Sequence, residues 1–300
     1  MVTVVAGRRL RLSSLGKVMY PSTGTTKAAV IDYYARIAPV LLPHLAGRPV
    51  TRVRFPHGMS GPGFFEKNVP AGVPDWVRRA GRDPVLPLID DVAGLTFFAN
   101  LNSLELHVPQ WRISGDGGDA VALDPDRLVV DLDPGPGAGL RECAVVAIIV
   151  RDRLTSIGLK PIPVTSGSKG MQVYAAVPGG HTSDQIRDTV QQLARELATA
   201  HPGLVVWKMA KGLRPGKVFL DWSQNVAAKT TVCPYSMRGR QEPTVAAPRE
   251  WLEVAQGAAG EPFRQLRIEE VLERVAGGGD PAAGLVSGRG PAGKSLTGPS

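Results

Sequence analysis

The chain has 300 residues, 43% of them hydrophobic, which is enough to bury the core of one large domain or of two closely packed ones. Its net charge of +8 and its isoelectric point of about 9.7 favour a polyanionic partner. The sequence has no apolar run that could span a membrane, no signal peptide and no zinc-type cysteine spacing, so we expect a cytoplasmic protein with reduced thiols.

Basic residues cluster in two stretches. No acidic residue precedes Asp32, whereas five basic residues do: Arg8, Arg9, Arg11, Lys17 and Lys27. From Trp207 to Arg240 the only acidic residue is Asp221, within a field of seven basic side chains: Lys208, Lys211, Arg214, Lys217, Lys229, Arg238 and Arg240. Such a field suits a site that handles phosphates and a metal together. Alternatively, the many basic residues simply reflect a high-GC organism, whose proteins use arginine freely.

The first predicted helix follows a turn at residues 20–24. Thr25 or Thr26 caps it, and it ends near Pro43. Its apolar face comprises Val30, Ile31, Tyr34, Ile37 and Leu41. Lys17 and Lys27 flank the turn, so they are either ordinary surface lysines or part of a phosphate pocket at the helix N-terminus.

A strand from Val50 to Phe55 carries Arg52 and Arg54 on one face. Phe64, Phe65 and Lys67 follow in a loop rich in Gly and Pro. Two adjacent rings on an extended chain cannot both face one core. We therefore expect one to be exposed and able to stack on a nucleic-acid base, unless the loop caps the core and buries both.

Residues 95–113 are predicted to form two strands, Leu95–Ala99 and Leu104–Ile113, followed by a polar loop from Asp116 to Asp126. His107 lies on the strand face opposite the leucines. It is either a packed or surface histidine or a phosphate contact.

Asp131 and Asp133 end a short apolar strand that begins at Leu128, and Pro134-Gly135 terminates it. Because they are two residues apart on an extended chain, their carboxylates point to the same face. Such a pair is either two solvated turn residues or a cation site. Asp221 ends another apolar run, Val218–Trp222, and three carboxylates on neighbouring strands would hold divalent ions over a triphosphate.

The segment after this strand alternates helices and strands. A helix at 141–157 precedes the strands 161–165 and 171–177, which enclose Ser166-Gly167-Ser168-Lys169-Gly170. This loop could bind an anion through its amides and Lys169, or be a plain hairpin turn. The next predicted helix is capped by Thr182 or Ser183, and its inward-facing residues are Ile186, Val190, Leu193 and Leu197. A strand at 204–209 and a helix at 269–275 follow it. From Gly277 we expect a disordered Gly/Pro-rich tail or linker.

Taken together, these motifs resemble the archaeo-eukaryotic primase superfamily. The set comprises Asp131-Leu-Asp133-Pro-Gly, Ser166-Gly-Ser-Lys-Gly and Val218-Phe-Leu-Asp221-Trp-Ser-Gln224-Asn. Five flanking stretches narrow the resemblance to the polymerase domain of bacterial ATP-dependent DNA ligase D and its stand-alone relatives: Lys17-Val-Met-Tyr-Pro, Gly24-Thr-Thr-Lys27, Gly63-Phe-Phe-Glu-Lys67, His107-Val-Pro-Gln-Trp111 and Pro234-Tyr-Ser-Met-Arg238-Gly-Arg240. The resemblance covers about Leu12 to Val275.

The resemblance implies a role for each motif. Asp131, Asp133 and Asp221 would be catalytic and would hold two divalent ions, Mn²⁺ or Mg²⁺. The residues implied for the nucleoside triphosphate are His107, Ser166, Ser168, Lys169, Gln224 and Arg238. Those implied for DNA are Lys17, Lys27, Arg52, Arg54, Phe64, Phe65, Lys67 and Arg214. Val53 departs from the pattern, which has a basic residue between the two arginines.

The sequence therefore predicts an α+β protein with a catalytic core of antiparallel sheets flanked by helices. Residues 1–276 would form a single catalytic unit, with an N-terminal subdomain to about 115 and a metal-site core at about 116–276. The resemblance implies template-directed nucleotide addition, with ribonucleotides preferred, at gaps or breaks bearing a 5′-phosphate. It also implies a nucleoid-associated location and a DNA ligase and a Ku-type protein as partners. The alternatives are a metal-dependent phosphoesterase and a non-catalytic module that binds DNA ends.

Overall fold

The computed structural model describes residues 1–287 and divides into two compact units. The first comprises Met1–Leu123, Val232–Ala246 and Leu266–Gly279. The second comprises Asp124–Thr231, Ala247–Gln265 and the described residues from Asp280 onward. The sequence placed the division near residue 115 and assigned all of 116–276 to the metal-site core. The two returning segments instead group with the first unit. The Cys233 N–H donates to the Leu106 carbonyl, and the second segment hydrogen-bonds to the first, as from the Val245 N–H to the Leu266 carbonyl.

The strands of the first unit belong to several small sheets. They are β1 (Val2–Val5), β2 (Arg8–Arg11), β3 (Val18–Tyr20), β4 (Thr25–Thr26), β5 (Thr51–Arg54), β6 (Phe64–Glu66), β7 (Arg79–Ala80), β8 (Leu86–Pro87), β9 (Ser103–Val108), β10 (Trp111–Ser114) and β11 (Val121–Pro125), which runs into the second unit. Later in the chain, β17 (Thr231–Val232) joins β9, β5 and β6 in a four-stranded sheet of order β17-β9-β5-β6. The pairs β1–β2, β3–β4, β7–β8 and β10–β11 form two-stranded sheets.

Three helices complete the first unit: α1 (Lys27–Leu45), α2 (Val92–Asn100) and α6 (Ile268–Gly278). Thr26 caps α1 by accepting a hydrogen bond from the Ala29 N–H, as predicted. The five predicted apolar positions of α1 are all buried. The helix continues two residues past Pro43, and packing of α1 against α2 buries its apolar face.

The second unit is built on one six-stranded sheet. Its strands are β12 (Arg127–Pro134), β13 (Pro161–Thr165), β14 (Met171–Ala176), β15 (Val205–Val206), β16 (Val218–Asp221) and β18 (Ala247–Pro248). The order is β15-β16-β12-β14-β13-β18, and every pair is antiparallel except the parallel pair β15–β16. The predicted α+β class with antiparallel sheets is confirmed.

Helices cover one face of this sheet. They are α3 (Leu140–Ser156), α4 (Ser183–Ala200) and α5 (Trp251–Ala259). The short α7 (Gly284–Ser287) lies near Ile162, whose side chain is on the other face. Leu128, Val130 and Leu132 of β12 alternate into the core shared with α3 and α4. Each such side chain contributes about 1.5–3 kcal/mol when fully buried. Since side chains alternate along a strand, the residues between them lie on the other face, and that face carries the acidic site.

Local sequence patterns failed in a few places. Leu95–Ala99 belongs to helix α2, not to a strand, because the Asp91 side chain caps a run that packs on α1. The predicted strand at 104–113 is divided into β9 and β10, and the polar loop at 116–126 contains β11. The tail prediction is wrong for residues 277–286, since α6 extends to Gly278 and Ala282 and Leu285 are buried. The remainder of the predicted tail, residues 288–300, lies outside the described part of the chain.

In residues 1–287, none of the helices is both long enough and apolar enough to cross a membrane.

Candidate active site

The three predicted carboxylates meet in the second unit. Asp131 on β12 is directly opposite Asp221 on β16 in the antiparallel register. Asp133 lies on the same face one strand repeat further along β12. One carboxylate oxygen from each residue lies within 4.8 Å of those of the other two. Residues separated by up to 90 positions in sequence therefore form one compact acidic cluster.

Like charges facing each other across a strand pair destabilise it, so this cluster suits a bound cation. Carboxylate oxygens are the preferred ligands of Mg²⁺ and Mn²⁺, and the mutual distances allow shared coordination. Burial, followed by the charges of Asp133 and Asp131, raises the pKa of the Cys143 thiol beneath the strand. The donor set therefore fits a divalent metal centre.

Neighbouring polar groups fix the Asp221 carboxylate. Its Oδ1 accepts hydrogen bonds from the Ser223 N–H (3.0 Å) and the Ser223 hydroxyl, and its Oδ2 accepts one from Gln224 Nε2 (2.8 Å). Lys229 Nζ donates in turn to Ser223 Oγ, which brings a positive charge close to the acidic cluster. These partners orient the carboxylate for a metal.

A buried asparagine holds this turn against the central strand. Asn225 accepts from the Val129 N–H (2.9 Å) and donates to the Val129 carbonyl (2.7 Å) through its side-chain amide. Val129 is two residues before Asp131 on β12. The turn that carries Asp221, Ser223 and Gln224 is thus tied to the strand that carries the other two carboxylates.

The loop from Ser166 to Gly170 connects β13 and β14, as predicted. The Ser166 N–H bonds to the Gly170 carbonyl (3.0 Å), and the Ser168 N–H bonds to Ser166 Oγ (3.2 Å). Gln265 fixes the loop from outside by accepting from the Gly167 N–H (2.7 Å). Lys169 is exposed at the tip.

This loop lies close to the acidic strand. A Cβ at Gly170 would come 2.0 Å from the carbonyl oxygen of Leu132, the residue between Asp131 and Asp133. Only glycine permits that approach. Ser166, Ser168, Lys169 and Gln224 are therefore all brought to the neighbourhood of the three carboxylates.

Arg214 lies over the Phe219 ring, with its guanidinium carbon 3.7 Å from the ring centroid. Phe219 is the cross-strand partner of Asp133. The Arg214 carbonyl packs on Gly135, where a Cβ would approach it to 2.0 Å. The basic loop between β15 and β16 is thus held against the turn that follows Asp133.

His107 and Arg238 lie in the first unit, where one carboxylate binds both. Glu105 Oε2 is 2.8 Å from His107 Nε2 and 3.3 Å from Arg238 Nε. Glu105 Oε1 accepts from the Gly239 N–H (2.9 Å). Burial opposes ionisation of Glu105, but the His107 hydrogen bond and the Arg238 charge outweigh it and lower the Glu105 pKa to about 2.

Lys17 and Lys27 also lie together in the first unit. Lys27 is almost fully buried at the start of α1, with its Nζ 3.5 Å from Ser13 Oγ. Burial, and then the charge of Lys17, lowers the Lys27 pKa. Lys17 Nζ donates to the Pro56 carbonyl. Two adjacent ammonium groups of this kind favour an anion between them.

The remaining predicted DNA-binding residues differ in exposure. Phe64 and Phe65 are both exposed, at 45% and 68%, although the sequence predicted only one exposed ring. Lys67 is exposed, and Arg54 is partly buried, pairs with Glu66 and stacks on Phe64. Arg52 is fully buried, bonded to Glu66 and stacked on Phe98, so its environment is that of a structural ion pair.

Sequence reasoning missed the residues that support these groups. Glu105 could have been found, since it is two positions before His107 and shares its strand face. Ser223 could have been found as the residue two positions after Asp221 in a capping turn. No local pattern points to Gln265, because nearly a hundred residues separate it from the loop that it fixes.

The fold and the acidic cluster fit the class of primase-polymerase domains. The model of the LigD primase-polymerase domain family matches residues 26–282 of this chain. The chain therefore belongs to the family of LigD primase-polymerase domains.

Known relatives agree with this assignment. The chain is 47% identical over 281 residues to the multifunctional non-homologous end joining protein LigD of Mycobacterium bovis, and 46% identical over 283 residues to that of Mycolicibacterium smegmatis. These alignments cover 91% and 92% of this chain but 36% of each relative, so the chain spans about a third of their length. The solved polymerase domain of Mycobacterium tuberculosis ligase D, in complex with DNA, matches with a TM-score of 0.88 and 46% identity, covering 93% of this chain and 98% of that one.

The first prediction concerns the metal site. Adding Mn²⁺ should raise the melting temperature of the wild-type protein, because an ion that binds only the folded state stabilises it. Asp133→Asn should abolish this increase. Without the ion, the variant should be at least as stable as wild type, since one of three repelling charges is gone. Thermal unfolding measures both effects, with Glu261→Gln as the control; an equal Mn²⁺ response in wild type and Asp133→Asn would contradict the assignment.

The second prediction concerns Glu105. Its pKa is lowered from 4.5 to about 2, so its ion contacts stabilise the fold above pH 4.5 and are lost as the pH falls toward 2. Glu105→Gln should therefore cost about 3 kcal/mol of unfolding free energy at neutral pH, and the cost should shrink toward pH 2. Denaturant unfolding at several pH values tests this against the exposed control Glu269→Gln. A cost that does not change with pH would show that the ionic contacts are not its source.

Proposed function

We propose that this chain is a template-directed nucleotidyltransferase that adds nucleotides to a primer 3′-hydroxyl at DNA gaps or breaks during repair. The observation that carries the proposal is the meeting of Asp131, Asp133 and Asp221 across β12 and β16. The names of the relatives support a role in non-homologous end joining, and the DNA complex of the solved relative supports DNA as the substrate.

The second unit supplies the groups that nucleotidyl transfer requires. Divalent ions held by the three carboxylates, Mn²⁺ or Mg²⁺, would activate the attacking hydroxyl and neutralise charge on the triphosphate. Ser223 and Gln224 keep the Asp221 carboxylate in one orientation through their hydrogen bonds. The pre-formed orientation lowers the cost of assembling the site at each turnover.

The loop from Ser166 to Gly170 is the proposed triphosphate-binding element. Ser166 and Ser168 offer hydroxyl groups, and exposed Lys169 offers a positive charge beside the acidic strand. Hydrogen bonds within the loop and from the Gly167 N–H to Gln265 hold its backbone in place, so these groups are positioned to stabilise the charge that develops on the leaving pyrophosphate. Gln224 is a further proposed nucleotide contact of this unit.

The proposed roles in the first unit rest on the family resemblance. His107 and Arg238 are proposed triphosphate ligands, and Glu105 fixes their orientation. Lys17 and Lys27 are proposed to bind the 5′-phosphate on the downstream side of a gap. Phe64 and Phe65, both exposed, are proposed to stack on template bases near that end, with Arg54 and Lys67 as phosphate contacts. Arg214, in the second unit, is a further proposed DNA contact.

Two finer expectations also come from the resemblance. Ribonucleotides are proposed to be preferred over deoxyribonucleotides. A DNA ligase and a Ku-type end-binding protein are proposed as partners in end joining at the nucleoid.

The third prediction tests the chemistry. Asp131→Ala or Asp133→Ala should lower primer extension on gapped DNA about a thousandfold or more, because each removes a ligand of the ions that stabilise the transition state. DNA affinity should be retained, since removing a negative charge does not weaken a contact with phosphates. Extension by either variant at the wild-type rate, with Glu261→Ala as the control, would contradict the proposal. Release of mononucleotides without added triphosphates would instead indicate a phosphoesterase.

The fourth prediction tests the phosphate pocket. The wild-type protein should extend a primer better when the downstream strand of the gap carries a 5′-phosphate than when it carries a 5′-hydroxyl. Combining Lys17→Ala with Lys27→Ala should erase that difference, while Lys160→Ala, which removes an exposed lysine of the second unit, should preserve it. The ratio of extension rates on the two substrates is the measurement. A ratio unchanged in the double variant would mean that the two lysines do not bind the phosphate.

A further inference from the structure

The β1–β2 hairpin at the start of the chain has one face that nothing in the described chain covers. Ala6 and Gly7 turn it with φ of 45° and 76°, and the register pairs Val2 with Arg11 and Val4 with Arg9. Leu10 is buried, while these four residues on the opposite face are all exposed. The hairpin therefore packs through Leu10 and presents Arg9 and Arg11 to solvent beside two valines.

The positive charge of this face is not neutralised. No acidic residue precedes Asp32 in the sequence, and within residues 1–287 no acidic side chain pairs with Arg9 or Arg11. Arg8, on the other face, is positioned over the Trp76 ring at 5.3 Å. Three guanidinium groups within four residues, without an acidic partner, suit a polyanion better than a neutral surface.

The hairpin is continuous with the proposed 5′-phosphate pocket. Ser13, whose hydroxyl contacts Lys27, is two residues from Arg11. The Asn100 side chain joins the two positions, since it donates to the Arg11 carbonyl (3.1 Å) and accepts from the Ser13 N–H (3.0 Å). The arginine face thus begins where the pair of lysines ends, and Asn100 fixes the connection.

The spacing of the arginines fits a nucleic-acid backbone. Arg9 and Arg11 are one same-face repeat apart, which is about 6.8 Å along an antiparallel strand. Successive phosphates of one strand of duplex DNA advance about 3.4 Å along the axis and also turn about it, so they are roughly 7 Å apart, close to this repeat. A strand lying along the backbone could therefore place both side chains on phosphates of one DNA strand.

We propose that the β1–β2 hairpin is an additional DNA-binding surface, at which Arg9 and Arg11 bind backbone phosphates of the duplex arm beyond the 5′-phosphate of a gap. This inference rests on the proposed function, because it takes Lys17 and Lys27 as the residues that hold the 5′-phosphate. The contacts involve phosphates alone, so they add affinity without sequence preference.

The test uses the full chain and two gapped DNAs with 5′-phosphates. One has a downstream duplex arm of about one helical turn, roughly 10 base pairs. The other has an arm of only a few base pairs. The dissociation constants of wild type and of the double variant Arg9→Ala, Arg11→Ala are measured over a range of salt concentrations. The matched control, Lys160→Ala with Arg141→Ala, removes two exposed positive charges from the second unit.

We expect wild type to bind the long arm more tightly than the short arm, and the double variant to lose that advantage. Loss of two phosphate contacts should reduce the slope of log affinity against log salt by about 1.8 on the long arm. The Arg9→Lys, Arg11→Lys variant should keep most of the wild-type slope, because it retains the charge. The Lys160→Ala, Arg141→Ala control should keep both the slope and the preference for the long arm.

A double variant with the wild-type slope and the wild-type preference for the long arm would overturn the proposal, as would an equal loss in the control. If the hairpin binds an acidic protein segment instead of DNA, the double variant will keep the wild-type slope and preference.

Nucleotide incorporation on the short-arm DNA separates this inference from the proposed function. Wild type and the double variant should extend that primer equally. Failure of wild type to extend either substrate would refute the proposed function itself.

Discussion

The antiparallel pairing of β12 with β16 determines the geometry of the acidic cluster. It places Asp131 directly opposite Asp221 and brings Asp133 onto the same face. The alternate residues of β12 anchor the strand in the core, so the register cannot shift by one residue without burying the carboxylates and exposing leucine and valine. The hydrophobic core therefore fixes the geometry of a cluster that electrostatics alone would disperse.

The surrounding groups offset that repulsion without neutralising the site. Lys229 acts on Asp221 through Ser223, and the loop that carries exposed Lys169 packs against the carbonyl of Leu132. Gly135 and Gly170 permit close backbone approach on either side of the acidic strand. The same arrangement that compensates negative charge in the folded protein places the proposed cation site beside the proposed triphosphate-binding loop. A metal-bound triphosphate requires that combination.

Local patterns predicted the parts of this site that depend on periodicity. Alternation placed Asp131 and Asp133 on one strand face, and a cap with apolar spacing identified α1 and α4. Prediction from local sequence was wrong where packing overrides it. Leu95–Ala99 contains residues that are common in strands, yet the Asp91 cap and the contact with α1 make this segment helical. The return of residues 232–246 and 266–279 to the first unit depends on contacts over more than a hundred residues, which no local signal encodes. The pairing of Glu105 with Arg238 and the support of the Ser166 loop by Gln265 are hidden for the same reason.

Metal binding by the three carboxylates can be tested by anomalous diffraction at the manganese edge, from crystals of this protein grown with Mn²⁺ and a non-hydrolysable nucleoside triphosphate. We expect anomalous density within about 2.0–2.6 Å of carboxylate oxygens of Asp131, Asp133 and Asp221, with the triphosphate against the loop from Ser166 to Gly170. Manganese bound elsewhere, or density that omits Asp221, would contradict it.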